Sequence, residues 1–179
     1  MIKQLAPFIP SPSYVIRQML QLANVSPEDI LYDLGCGDGR ILLTAVKEFD
    51  VKKAVGYEIQ TDLYYDTLEK ITRAALEKQI RLVNEDLMNA DLAEASVITL
   101  YLTQFGNTTL KRKLLREVRN GTRIISHDFN ILGWAYTKKD DTCGHSIYLY
   151  TLPEAVTTDA MTCAYSSVNP HNPQNQRSR

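Results

Sequence analysis

Apolar positions along the chain alternate between a period near 3.6 and short continuous runs. Val15, Ile16, Met19, Leu20 and Leu22 give a first helix one apolar face. Residues 30–34 then read as a strand that ends in a glycine-rich turn. Ile41, Leu42, Ala45, Val46 and Phe49 return to helical spacing, and residues 54–58 form a second strand. Thr61 or Asp62 offers an oxygen to cap a helix carrying Tyr64, Leu68, Ile71 and Ala75 on one side, and a third strand follows at 80–83. Residues 97–102 are almost wholly apolar, as expected of a central strand buried on both faces. Leu110, Leu114, Leu115 and Val118 mark another helix, which Gly121 caps before a strand at 122–127. Strands separated by helices predict stacked β-α units and a mostly parallel sheet. After Trp134 only strand patterns remain, the clearest at 146–151, with a hairpin partner expected near Ala135 and Tyr136. From about Thr157 the chain is rich in Thr, Ser, Asn, Pro and Gln without a period, which predicts a disordered tail.

Composition narrows the function classes. With 179 residues and 44% hydrophobic content the chain is one globular domain. At that size folding buries roughly 70% of the surface of the extended chain, so no disulfide or metal is needed to hold it together. Lys and Arg number 20 against 21 Asp and Glu, a net charge of -1, which argues against holding nucleic acid mainly by neutralising phosphates. A local basic run over Lys111, Arg112, Lys113, Arg116, Arg119 and Arg123 reads as a solvated helix face, with an RNA-binding patch as the alternative. Cys36, Cys143 and Cys163 are odd in number and lack paired spacing, so a reducing compartment is expected. No metal site is expected, since Cys143 and His145 stand near each other without further partners. The start of the chain resembles neither a signal nor a transit peptide, and no apolar stretch would span a bilayer. A cytoplasmic monomer is expected.

The chemistry concentrates in Asp33-Leu34-Gly35-Cys36-Gly37-Asp38-Gly39-Arg40, where a strand passes into a helix. Glycines there let backbone approach a ligand closely. No Lys follows them, so this is no triphosphate loop, and the third glycine comes one position early for a dinucleotide fingerprint. Asp33 just before the first glycine would repel a pyrophosphate and attract an ammonium or sulfonium. S-adenosylmethionine carries such cationic groups and no phosphate. Glu58 closes the second strand at the spacing where a carboxylate accepts hydrogen bonds from ribose hydroxyls, and Asp86 after the third strand could accept one from an adenine amino group. The expected cofactor residues are Asp33, Gly35, Gly37, Gly39, Glu58 and Asp86.

At these residues the chain resembles class I S-adenosylmethionine-dependent methyltransferases. More narrowly, it is similar to the small archaeal-type protein lysine methyltransferases, whose relatives include mitochondrial enzymes that methylate inner-membrane proteins. The resemblance rests on Pro7 to Pro12, Tyr32 to Ile41, Tyr101-Leu102-Thr103 and Gly121 to Phe129, within residues 6–152. It implies a Rossmann-like α/β fold: a seven-stranded, mostly parallel sheet with helices on both faces and its last strand antiparallel. It also implies an N-terminal segment that helps to close the site. The expected organisation is a lid at residues 1–13, a methyltransferase domain at 14–152 and a disordered tail at 153–179.

The target follows partly from an absence. Leu100-Tyr101-Leu102-Thr103 stands where many enzymes acting on planar base or amide nitrogens carry Asn/Asp-Pro-Pro-Tyr/Phe. A lysine amine needs no such tetrapeptide, because once deprotonated it is already a good nucleophile, and desolvation and a nearby cation both favour the neutral form. Tyr101 is the candidate substrate-positioning residue. Phe8, Ser11 and Trp134 are candidates for the lid and substrate wall, Phe8 and Trp134 as rings that attract an ammonium. Phe129 is weighed the same way against plain core packing, and His127 reads as a hydrogen-bonded strand-end residue. Transfer to exposed lysines of protein partners, with no stable nucleic-acid partner, is the leading expectation. An RNA or small-molecule methyltransferase, or a non-catalytic S-adenosylmethionine-binding module, stands beside it.

Overall fold

The computed structural model describes residues 5–156. Helix α1 (Ser13–Leu22) precedes β1 (Ile30–Leu34), α2 (Arg40–Phe49), β2 (Lys53–Tyr57), α3 (Thr61–Arg73) and β3 (Ile80–Val83). A 3-10 turn at Leu87–Asn89 leads to β4 (Val97–Leu100), α4 (Gln104–Glu117), β5 (Arg123–His127), β6 (Lys138–Thr142) and β7 (His145–Thr151). The seven strands lie in one sheet in the order β3-β2-β1-β4-β5-β7-β6. β1 to β5 pair in parallel, and β7 runs antiparallel to both β5 and β6. This is the expected Rossmann-like sheet. The order reverses direction at β1 and β4, and open α/β sheets bind ligands at such a switch, outside the carboxyl ends of the strands.

Alternation along the strands divides the core in two. Leu31, Ala54, Val97, Ile125 and Ile147 pack against Val15, Ile16 and Met19 of α1, Leu42 and Ala45 of α2, and Ile71 of α3. On the other face Tyr32, Leu34, Ile98, Leu100 and Ile124 meet Leu110 and Leu114 of α4, Ile131, Trp134 and Tyr150. Leu42 is fully buried, and burying a side chain of that size stabilises the fold by about 1.5–3 kcal/mol. Thr103 explains where α4 begins: its hydroxyl oxygen accepts from the Gly106 N–H at 3.1 Å, as an N-cap does.

Boundaries differ from the sequence reading: β4 ends at Leu100 rather than at residue 102, and Val118, not Gly121, is the C-cap of α4. The hairpin partner of β7 is not Ala135-Tyr136 but Lys138–Thr142, joined through Cys143 and Gly144, both with positive φ. Its sequence, KKDDT, lacks apolar periodicity because β6 is an edge strand, where charges discourage pairing with another chain. The domain also runs beyond 152. Ala155 and Val156 are buried, Val156 bridges to Trp134, and the Ala135 N–H donates to the Ala155 carbonyl at 2.8 Å. Of the expected tail 153–179, residues 153–156 therefore belong to the packed domain, and 157–179 lie outside the described residues.

The basic run does not form one surface. Lys113 is buried against Glu117 at 2.6 Å, and Lys111 donates to the Leu132 carbonyl at 2.6 Å. Arg123 opens β5 at the amino edge of the sheet, where it pairs with buried Asp29 and donates to the Ala23 carbonyl at 2.7 Å.

Candidate active site

A solvent-open cavity lies over the carboxyl ends of β1, β2 and β4. Its floor is the loop that follows β1. Gly35 and Cys36 both donate backbone N–H groups to the Tyr57 carbonyl at 2.9 Å, and Gly39 donates to Cys36 at 3.0 Å. Gly35, Gly37 and Gly39 all have positive φ, which L side chains rarely adopt. Gly39 is the N-cap of α2 and leaves no room for a side chain, since an added Cβ would lie 2.4 Å from the Thr67 methyl. Asp33, Gly35, Gly37, Glu58 and Asp86 line the cavity, whereas Gly39 shapes the turn beneath it.

Glu58 ties the floor together. Its Oε2 accepts from the Gly37 N–H and its Oε1 from the Gln60 N–H, both at 2.8 Å. Each carboxylate oxygen retains a lone pair for a further donor. Asp33 is nearly inaccessible; its Oδ1 accepts from the Thr99 hydroxyl at 2.7 Å, while its buried Oδ2 has no partner. Burial pushes the Asp33 pKa up to about 7, with Glu58 and Asp38 adding to the shift and Thr99 opposing it. A cation at Oδ2 would reverse the largest part of that cost. Asp86 caps the 3-10 turn by accepting from the Met88 N–H at 2.9 Å on Oδ1. An orphaned carboxylate oxygen, a glycine floor and a strand-end glutamate fit a ligand that is cationic at one end and rich in hydroxyls further along.

The N-terminal segment forms the opposite wall, with Phe8 and Ser11 both on the cavity. The Thr103 hydroxyl donates to the Leu5 carbonyl at 2.8 Å, and Arg40 donates to the Ser11 carbonyl at 2.9 Å. The Phe8 ring lies over Gly37, where an added Cβ would come within 2.6 Å of it. Arg40 is itself steered by Asp38 at 2.8 Å. Burial raises the Asp38 pKa, yet its hydrogen bonds and charge pairing with Arg40, helped by Lys70, outweigh that and lower it overall.

Tyr101 reaches the cavity from the end of β4. Its hydroxyl donates to Asp128 Oδ2 at 3.2 Å, and its ring lies 3.9 Å from that of His127, centre to centre. Sequence reasoning missed this cluster of His127, Asp128 and His145. Only the strand-ending His-Asp pair hinted at it, because His145 arrives from β7 by a reversal that no local pattern announces. The three present ligand atoms within 4.8 Å of one another, a spacing that also suits a metal ion. Trp134 is a correction. It is buried on the far face of the sheet, its ring 5.9 Å from Tyr150 in an edge contact, and it does not line the cavity. The chain after β5 turns across α4, which carries the indole away from the strand ends. Phe129 is also off the cavity, its carbonyl accepting from Asn107 at 2.8 Å and from Ser126 at 2.6 Å.

The arrangement coincides with a known family. Residues 33–138 match the ANTKMT methyltransferase domain. The chain belongs to this methyltransferase family. A protein-lysine N-methyltransferase of Saccharolobus islandicus is 42% identical over 152 residues, 83% of this chain and 94% of that protein. The adenine nucleotide translocase lysine N-methyltransferase of Mus musculus is 27% identical over 128 residues, 72% of this chain but 55% of that protein. A Salinibacter ruber structure described as an RNA methyltransferase in complex with S-adenosyl-L-homocysteine superposes with a TM-score of 0.81 at 37% identity, covering 85% of this chain and 99% of that one. The family model begins at Asp33, so it spans the glycine floor, Glu58, Asp86 and Tyr101 of this methyltransferase.

Proposed function

We propose that the protein transfers methyl groups from S-adenosylmethionine to lysine side-chain amines of proteins. The observation that carries this reading is the 42% identity to a protein-lysine N-methyltransferase over 83% of this chain and 94% of that one. When bound, the cofactor would supply a sulfonium methyl to the neutral amine, the C–S electron pair leaving with sulfur and the extra proton of the methylated amine passing to solvent once the product leaves the closed site. The residues divide the remaining work. Asp33 Oδ2 takes a cationic group of the cofactor, Gly35 and Gly37 let it lie on the backbone, and Gly39 keeps the helix start tight. Glu58 accepts from the ribose hydroxyls and Asp86 Oδ2 from the adenine amino group. Phe8 and Ser11, on the segment before α1, close the site and exclude water from the amine. Tyr101 meets the incoming lysine.

A second reading, transfer to RNA, draws on the description of the Salinibacter structure. Against it stand the withdrawal of Lys113 and Arg123 from the basic run into ion pairs, which leaves Arg112, Arg116 and Arg119 exposed, and the net charge of -1. We place the protein in a reducing cytoplasm as a monomer; among the described residues no helix is long and apolar enough to cross a membrane. The test is incubation of the protein with methyl-labelled S-adenosylmethionine and a cell extract, followed by separate protease and ribonuclease digestion. Label released by protease alone supports the lysine reading, and label released by ribonuclease alone replaces it with the second.

A further inference from the structure

At the carboxyl ends of β4 and β5 and the amino end of β7 lies a chain of polar contacts that cofactor binding does not use. Asp128 follows β5 with a φ of 59°, the left-handed region that Asp tolerates better than most residues. Two bonds to β7 seat it there: its N–H donates to the Ser146 carbonyl at 2.7 Å, and its Oδ1 accepts from the Ser146 N–H at 3.0 Å. Its Oδ2 accepts from the Tyr101 hydroxyl at 3.2 Å and contacts His145 Nδ1 at 3.1 Å. His145 Nδ1 also lies 2.9 Å from His127 Nε2, and His127 Nδ1 lies 2.9 Å from the Ser11 hydroxyl.

One proton assignment accounts for the hydrogen bonds, with His127 Nε2 and Asp128 Oδ2, 3.4 Å apart, as two acceptors on either side of the shared His145 N–H. His127 is buried, and burial, with His145 adding to it and Asp128 opposing, lowers its pKa to about 4, so it is neutral. With its proton on Nδ1 it donates to Ser11 and accepts on Nε2 from His145, whose Nδ1–H is shared with Asp128. Asp128 has its pKa held below the usual carboxylate range. Burial opposes this, but the Ser146 N–H and the His145 hydrogen bond prevail. Tyr101 is therefore the donor in its bond to Asp128. Burial, the Asp128 charge and that bond raise its pKa, so it keeps its proton. With the proton committed to Asp128, both lone pairs of the Tyr101 oxygen remain for another partner.

We propose that Asp128, seated by Ser146 and His145, is a positioning residue that fixes the Tyr101 hydroxyl so that its oxygen accepts an N–H of the substrate lysine amine and aims the nitrogen lone pair at the methyl group. This rests on the lysine reading above. His127, Asp128 and His145 lie behind the cavity wall, which Tyr101 and Ser11 line, and the Ser11 contact joins them to the N-terminal segment.

Protein methylation in the extract assay, alongside calorimetric titration with S-adenosylmethionine, is compared for Tyr101→Phe, Asp128→Asn and the double variant. Each single variant is expected to lose about tenfold or more in kcat/KM, the scale on which misplacing a reacting group acts. The double variant should fall no further than the worse single one, and cofactor affinity should stay within about twofold throughout. His145→Ala should lose activity, and His145→Asn, whose amide nitrogen replaces Nδ1, should regain most of it. Additive losses in the double variant, or an unaffected Asp128→Asn with label still entering protein, would overturn this proposal alone. Label entering RNA with the unaltered protein would overturn it together with the lysine reading. Transfer abolished by a chelator and restored by a divalent ion would also overturn it, since the same three residues would then be holding a metal.

Discussion

The two halves of the cavity are built on different principles. At the ends of β1 and β2 the work is done by backbone. Glycines make the floor, and Glu58 reaches only 21 residues back to bind the Gly37 N–H. At the ends of β4, β5 and β7 the work is done by side chains brought from distant parts of the chain, with Ser11 meeting His127 across 116 residues. The first half can be written as a motif because its geometry is local. The second is a product of topology and has no signature until the sheet is assembled. Under the proposed function, cofactor recognition is tied to residues near in sequence, and substrate handling to contacts between distant ones.

The sharpest way to break this contrast is to remove the residue that ties the cofactor floor together. Glu58→Ala abandons two N–H groups and any ribose contact, so it should weaken S-adenosylmethionine binding by about 1.5–3 kcal/mol, roughly 10- to 150-fold in Kd. Isothermal titration calorimetry checks this, and unchanged affinity would move the cofactor elsewhere.

Next in size is a pH effect at Asp33. Its pKa of about 7 means that it is largely neutral at pH 6 and largely ionised at pH 7.5. Affinity for the cationic cofactor should therefore rise about fivefold or more between those values, and Asp33→Asn should flatten the slope. Folding stability should move the other way. The unfolded chain ionises Asp33 near pH 4 while the folded protein keeps the proton to about 7, so stability falls with rising pH across that window and then levels off. Denaturant titrations of both proteins at pH 4.5 and 7.5 measure the difference.

Ser11→Ala probes the other half. It leaves buried His127 without its Nδ1 partner and should cost about 1–3 kcal/mol of stability, a fall of several degrees in Tm, while methyl transfer drops more than cofactor binding. Equal losses in binding and transfer would erase the distinction between the halves. The smallest effect is expected at Trp134→Phe, which repacks the far face of the sheet at under about 1.5 kcal/mol and leaves cofactor affinity untouched. A clear loss of affinity would return Trp134 to the site.

What the sequence made legible follows the same division. The central strands of the parallel sheet are readable because they are buried on both faces, as with Val97–Leu100, and the glycine floor because its φ angles demand particular residues at fixed offsets. β6 was not, since an exposed edge strand needs no apolar positions, and neither was the packing of Ala155 and Val156, which depends on Trp134 from another part of the chain. Trp134 was misplaced because an aromatic residue after β5 looks the same in sequence whether its ring faces the strand ends or the core. Asp128 and His145 escaped notice as a pair because they meet only through the antiparallel turn of β7.

The central claim is that this cavity delivers a methyl group to lysine, and product analysis tests it most directly. The protein is incubated with methyl-labelled S-adenosylmethionine and equal amounts of extract protein and extract RNA in one reaction, and both fractions are hydrolysed for mass spectrometry. The account predicts label as mono-, di- or trimethyl-lysine and none in nucleosides. Labelled nucleosides with unlabelled lysine would contradict it.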